Sequence, residues 1–524
     1  MATNQPGSTG VAYDVTGRKD VHLLHGKAIG LIGVLFLTVT GAAPISAMLF
    51  NVPIAVGFGN GIGAPASFLV ATIVLTIFSV GFAAMARKVT AVGGFYSFIS
   101  HGLGRELGMA LGFGSVVAYC VFETSLAGGF AFFANADILE WTKAADGTGG
   151  VNVPWPILAF AMVAGIAVLS YFDVKVSVMI LGAALICEVI ILLIFDIGVL
   201  TSANAHWDLA ALNPFAAFNG FDEITKADGT KLAAGAAAIG LFFAFWSWVG
   251  FEMAPNYGEE SRDPKRIVPM SLYISVIGLG IFYIVTSWAA LSAYPSVEDA
   301  IAQGQTAGGE FFMGPIAANV GPLARKAMEV LILTSAFACG MAFHNTAARY
   351  LYSLAREGVL PVSLAKTHPK YKSPHIASCV QSALAVVIIV LFMIFAGMDD
   401  PNRQAYLMLY GLMALLGTAI IMIAQAIVSL AIIVYFRTHH PDDHHWFETL
   451  IAPLISFVAQ IYIVWLLFSH MDFLGGGVAF ANWIPWIIAV IILVGIGGAL
   501  YLKSAKPQVY DKLGRLLYEG LAKE

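Results

Sequence analysis

Thr40-Gly41-Ala42-Ala43-Pro44 stands in the middle of the first long apolar segment, which runs from about Gly26 to Gly57. Proline has no N–H to donate, and its ring clashes with the preceding helical turn. Gly41, just before it, unwinds at little cost. Together they predict one membrane crossing split into two half-helices, with Pro44 in the first turn of the second. Backbone groups freed by such a break are tolerated in a bilayer only against protein or a wet cavity. The stretch alone leaves two readings open: a proline kink with nothing bound, or a break lining a polar cavity at mid-membrane.

Composition sets the class. Of 524 residues, 59% are hydrophobic and 11% charged, against about a quarter charged in a soluble domain. The chain therefore reads as one integral membrane unit in a lipid bilayer. Its net charge of -5 comes with no basic face, which excludes nucleic acid as a partner. Cys120, Cys187, Cys339 and Cys379 all fall in apolar segments and read as buried thiols, neither a disulfide framework nor a metal cluster. The first 25 residues are polar and lack the apolar core of a signal peptide, so they read as a cytoplasmic tail. No nucleotide-binding loop appears, which argues against direct drive by ATP, and neither a cofactor nor an enzymatic site is expected.

At about 20 apolar residues per crossing, the chain predicts twelve transmembrane helices. They lie near 27–57, 64–88, 106–136, 154–173, 177–200, 233–258, 269–293, 326–355, 376–397, 405–436, 449–469 and 482–503. With the N-terminus inside, 21 of the 27 Lys and Arg fall on the cytoplasmic side and 6 outside. That asymmetry follows the positive-inside rule and brings both termini to the cytoplasm.

A second interrupted crossing is the sixth, Phe243-Ala244-Phe245-Trp246-Ser247-Trp248-Val249-Gly250-Phe251-Glu252-Met253-Ala254-Pro255. Gly250 and Pro255 bracket the unwinding. The two breaks are five crossings apart, and an odd number makes the second group of five run opposite to the first. Matching breaks in two such halves point to a transporter site at the repeat interface. The domain organisation expected is a cytoplasmic tail (1–26), a first repeat (27–200), a second repeat (233–436), two extra helices (449–503) and a C-terminal tail (504–524).

Three further stretches carry a family resemblance. Ala91-Val92-Gly93-Gly94-Phe95-Tyr96 follows the second crossing, and Tyr257-Gly258-Glu259-Glu260-Ser261-Arg262-Asp263-Pro264-Lys265-Arg266-Ile267-Val268-Pro269 follows the sixth. The eighth ends in Arg349-Tyr350-Leu351-Tyr352-Ser353-Leu354-Ala355-Arg356-Glu357-Gly358-Val359-Leu360-Pro361. In this order the chain resembles the amino acid–polyamine–organocation (APC) superfamily, its bacterial amino acid permeases in particular. The resemblance implies an all-α membrane fold with a five-plus-five inverted repeat and transport of an amino acid or related amine across the plasma membrane by alternating access. A family Gly-Ser-Gly run in the first helix is here Gly41-Ala42-Ala43-Pro44.

The expected site follows from helix ends. N–H groups and the positive end of a dipole at Pro44, Ile45 and Ser46 suit a carboxylate. Carbonyls ending the preceding pieces, near Thr40 and Gly41 and near Trp246 and Ser247, suit an ammonium. A zwitterion fits the pair. The substrate-binding set expected is Thr40, Gly41, Ala42, Ala43, Pro44, Ile45, Phe245, Trp246, Ser247, Gly250 and Cys339, with Tyr119 and Tyr410 as walls or simply packing residues. The resemblance makes Trp246 an outer lid and Phe343 a floor. For proton coupling or gating, the buried acids Glu123, Glu188 and Glu252 stand out, because a mid-bilayer carboxylate costs about 2.5–3.5 kcal/mol. Glu188, beside Ser335, is the foremost proton carrier; a protonated tie between helices is its alternative. His344 reads as a helix tie, the His439–His445 run as a solvated loop, and Gly93–Gly102 as a short cap on the inner vestibule.

Overall fold

The computed structural model describes residues 29–89, 93–143, 149–171, 174–258, 260–306, 308–396, 404–442, 445–474 and 479–514. The expected N-terminal tail, Ala91, Val92, Glu259, Asp443, His444 and the chain beyond Gly514 lie outside them.

In a bilayer a spanning segment must satisfy its own backbone, so the apolar runs fold as helices. Among the described residues, ten are long and apolar enough to cross a membrane. They differ from the twelve expected at two places. The 58-residue run Leu31–Lys88 counts once, although Gly59 (φ -97°, ψ -112°) and Gly61 (φ 52°) interrupt it. The apolar helix Trp155–Ser170 is shorter than a full crossing.

The first helix, α1 (Leu31–Ala42), stops at Ala43, which takes the left-handed φ of 42°. The chain resumes at Pro44 as α2 (44–60), in which Ala47–Asn51 and Ala55–Asn60 form wide π-type turns. There follow α3 (Ala64–Lys88), α4 (Gly94–Gly102), α5 (Arg105–Phe133), α6 (Trp155–Ser170), α7 (Val174–Leu200) and α8 (Ala237–Trp246). Next are α9 (Pro264–Ser292), α10 (Val297–Thr306), α11 (Glu310–Asn319), α12 (Pro322–Arg356), α13 (His375–Ala396), α14 (Gln404–His439), α15 (Ala452–Ser469) and α16 (Ile484–Ala505). Between α7 and α8 a small hairpin pairs β1 (Ile224–Thr225) with β2 (Lys231–Leu232).

α5 is the central post, packed against α4, α12, α14 and α16, while α1 is enclosed by α7, α9 and α12. The bundle rim is apolar and exposed, with Ile186, Ile190 and Ile197 of α7 and Val387, Leu391 and Ile394 of α13 facing outward. Such a belt matches lipid, not water. Cys187 and Cys379 share that outward side and are exposed, so the reading of four buried thiols is corrected: only Cys120 and Cys339 are buried. An apolar neighbourhood in sequence does not distinguish the inside of a bundle from its lipid face.

Candidate functional site

The two breaks meet backbone to backbone. A Cβ on Gly250 would lie 2.5 Å from the carbonyl carbon of Gly41 and 2.7 Å from the nitrogen of Ala42. Gly250 also takes a φ of 127°, which disfavours side chains. Its N–H donates to Glu252 Oε2 (2.9 Å), and Tyr119 OH donates to Glu252 Oε1 (2.9 Å). Glu252 is buried and holds the unwound turn Ser247–Gly250 in place.

Beside the breaks lies a small cavity of about 20 Å³. Gly41, Ala42, Ala43, Trp246, Ser247, Cys339, Phe343 and Tyr410 of the expected set line it. Thr40, Pro44, Ile45, Tyr119, Phe245 and Gly250 do not. Tyr119 sits one layer away, with its ring 6.0 Å from Phe343 and 5.7 Å from Tyr350. Ser46, Ala47, Asn51, Leu126 and Val249 complete the lining. Asn51 carries a signal that sequence reading passed over, an amide in an apolar half-helix seven residues beyond Pro44.

The helix termini are already occupied. Ile45 N–H donates to Glu188 Oε2 (3.3 Å), Ser46 N–H to Ser335 Oγ (3.4 Å), and Ser335 Oγ–H to Glu188 Oε2 (2.8 Å). Glu188 is fully buried, and its Oε1 has no hydrogen-bond partner among the described residues. Thus a side-chain carboxylate of this chain stands where the positive helix end was expected to be open. On the negative side, the Gly41 carbonyl accepts from Cys339 Sγ (3.0 Å) and the Ala42 carbonyl from Tyr283 OH (2.9 Å). A carbonyl has a second lone pair, so Gly41 can still receive an ammonium.

The cavity is closed toward α10 and α11 by a hydrogen-bonded chain. Trp246 Nε1–H donates to Tyr410 Oη (2.9 Å), Tyr410 OH to Asn51 Oδ1 (2.6 Å), and Asn51 Nδ2–H to Ser247 Oγ (2.8 Å). Trp246 and Phe343 stack at 6.0 Å with Phe122 against both. On the opposite, α4 side, buried Arg349 makes two bonds to Glu260, with Nε to Oε2 at 3.0 Å and Nη2 to Oε1 at 3.1 Å. Ile29 N–H reaches the Glu260 carbonyl there (3.0 Å), tying the start of the first helix to α12. The same side has Glu357 accepting from Tyr96 OH and from the N–H of Gly514 (3.1 Å).

Glu123 lies elsewhere. Its Oε2 accepts from His344 Nδ1 (3.0 Å) and Gln381 Nε2 (2.7 Å), and His344 Nε2 meets Ser378 Oγ at 2.8 Å. This knot joins α5, α12 and α13 outside the cavity.

Comparison with known proteins agrees with this architecture. Residues 29–496 match the family model described as amino acid permease. The branched-chain amino acid permease of Bacillus subtilis is 23% identical over 91% of this chain and 91% of its own length. The methylthioribose transporter of the same organism is 22% identical over 85% of this chain and 87% of its own. A low-affinity putrescine importer of Escherichia coli is 26% identical over 29% of this chain and 32% of its own.

Proposed function

We infer that this chain, which belongs to the amino acid permease family and is a membrane transporter rather than an enzyme, imports an amino acid together with a proton. The reading includes twelve crossings, reached by dividing the run through Gly61 and counting α6, with two inverted groups of five and both termini in the cytoplasm of a plasma membrane. The α10–α11 side then faces outward and the α4 side inward.

One observation carries it: the Glu188 carboxylate occupies the N–H of Ile45. A helix N-terminus stabilises one negative charge, and a second carboxylate brought beside the first in a low-dielectric site is strongly repelled. Protonation of Glu188 removes that repulsion. It frees the Ile45 N–H for a substrate carboxylate and turns Glu188 from acceptor into donor. The substrate's ammonium then sits against the Gly41 carbonyl. Proton and zwitterion thus load together, and opening on the α4 side releases both.

No charged side chain lines the cavity. A diamine would bury its second ammonium without a partner, at a cost of several kcal/mol. The apolar stretch Leu126, Val249, Phe343 suits an aliphatic side chain instead.

Uptake by proteoliposomes tests this. Labelled leucine should accumulate under an inwardly directed proton gradient, with glutamate, lysine and putrescine competing poorly. Accumulation of putrescine in place of leucine would transfer the assignment to amines. Cation current with no organic substrate would reject it.

A further inference from the structure

Arg437 stands in the last turn of α14, on the side proposed above to face the cytoplasm. A cation there suits the negative end of the helix dipole, yet the carbonyls of that end make no hydrogen bond to it. The guanidinium is half-buried and stacks over the ring of Trp446, 4.2 Å from its centroid. Among the described residues Arg437 has no hydrogen-bond or ion-pair partner, and its Nη2 is buried without an acceptor. Its other two nitrogens are not buried, so one edge of the fork is open to the surface. A guanidinium in that condition calls for an anion. The nearby acids do not supply one. Glu448 is paired with Arg87 of α3 at 2.5 Å, and Asp442, in the turn after α14, is exposed and makes no ion pair. His439 and His440 pack on the ring of Tyr435 instead, at 5.0 and 5.5 Å between centroids.

Next to the guanidinium the surface turns apolar. Phe447 and Ile451 bound the wide π-type turn that leads into α15, and both are exposed. Leu454 and Val458 continue their line along α15, at the three- and four-residue steps that keep one helix face. Val434, one turn before Arg437 on α14, is exposed as well. Trp446, itself exposed, tops this stripe as an indole does at the boundary between hydrocarbon and headgroups. The ligand that satisfies both parts has an anionic head and a long apolar tail. A phosphodiester presents two oxygens to a guanidinium fork, and anionic phospholipids give the cytoplasmic leaflet its negative surface. Free phosphate would answer the guanidinium and leave the stripe without a role.

We propose that the junction of α14 and α15 is a binding site for one anionic phospholipid, whose phosphate takes the Arg437 guanidinium beside Trp446 and whose acyl chain lies along Phe447, Ile451, Leu454 and Val458. The lipid holds α14 through the guanidinium and α15 through the stripe, while the Arg87–Glu448 pair ties α3 to the same turn. The leaflet follows from the orientation proposed above. The site itself depends only on the chain lying in a membrane, and not on its substrate.

Native mass spectrometry of the purified full-length chain, titrated with phosphatidylglycerol or phosphatidylcholine, tests the site directly. The wild type should hold one phosphatidylglycerol more tightly than any phosphatidylcholine. Arg437→Gln should weaken that binding about tenfold, the loss of charge-assisted hydrogen bonds to the phosphate. Arg437→Lys should fall between, since an ammonium meets phosphate as a point charge. Trp446→Leu keeps every charge and should weaken binding too, so the test does not hang on the folding of one variant. Excess inorganic phosphate should not displace the lipid. Equal phosphatidylglycerol affinity in the wild type, Arg437→Gln and Trp446→Leu, equal affinity for the two lipids, or displacement by inorganic phosphate overturns the site. None of these results bears on whether leucine is imported, so the two readings fail separately.

Discussion

Oε2 of Glu188 accepts the hydrogen bond of the Ile45 backbone N–H at 3.3 Å, across the break that Pro44 introduces. The carboxylate comes from α7 and the N–H from α2, so one hydrogen bond joins two elements that must separate if the two half-helices pivot. Ser335 of α12 donates to the same oxygen. Three elements thus meet on one carboxyl group.

The contact between Gly41 and Gly250 should be the least forgiving point of the site. Ala at 250 faces both the left-handed backbone, costing about 1–2 kcal/mol, and overlap with the Gly41 and Ala42 backbone, typically about 1–3 kcal/mol more. Ala at 41 meets chiefly the movable end of Met253, with Gly250 Cα at 3.2 Å. Thermal unfolding of the purified protein should show Gly250→Ala losing clearly more stability than Gly41→Ala. The reverse order would refute the backbone contact.

Tyr410→Phe removes a hydroxyl that accepts from Trp246 and donates to Asn51. Two bonds at about 1 kcal/mol each bias the closed arrangement, so their loss should favour opening about tenfold or more. Cys339 lines the cavity and is buried. With the other three cysteines replaced by alanine, it should react with a membrane-impermeant thiol reagent faster in Tyr410→Phe than with Tyr410 intact. Equal rates would mean that this chain of bonds does not close the cavity.

On the α4 side, burial pushes the Glu357 carboxyl up to about 7. Its contacts are Tyr96 OH and the Gly514 N–H. Lifting residues 507–514 would return it to solvent and to an ordinary glutamate value of about 4.3. Docking therefore takes up a proton. It is fully supported below about pH 4.3 and weakens as pH rises through about 7. Amide exchange at Tyr510–Gly514, corrected for intrinsic rates, should show stronger protection at pH 5 than at pH 8. Glu357→Gln should flatten that dependence, and stronger protection at pH 8 would contradict it.

Much of this was legible in the chain. Apolar runs of crossing length leave the backbone no choice but helix, and Pro44 and Gly250 mark their breaks by removing a donor and a Cβ. Less legible was which side chains face inward. The π-type turn at Ala47–Asn51 shifts the facing away from a regular 3.6-residue period, and Asn51 at its end lines the cavity together with Ser46 and Ala47. Tyr119 was expected at the wall but packs beneath Phe343, because its hydroxyl is drawn to Glu252. Nor does any local pattern announce that Glu188, 143 residues away, caps Ile45.

The most direct test is Glu188→Gln in proteoliposomes, comparing accumulation under a proton gradient with exchange of leucine against internal leucine. Glutamine keeps the size and a hydrogen bond but carries no titratable charge. The account predicts that exchange persists while gradient-driven accumulation is lost. Accumulation at the wild-type level would contradict it.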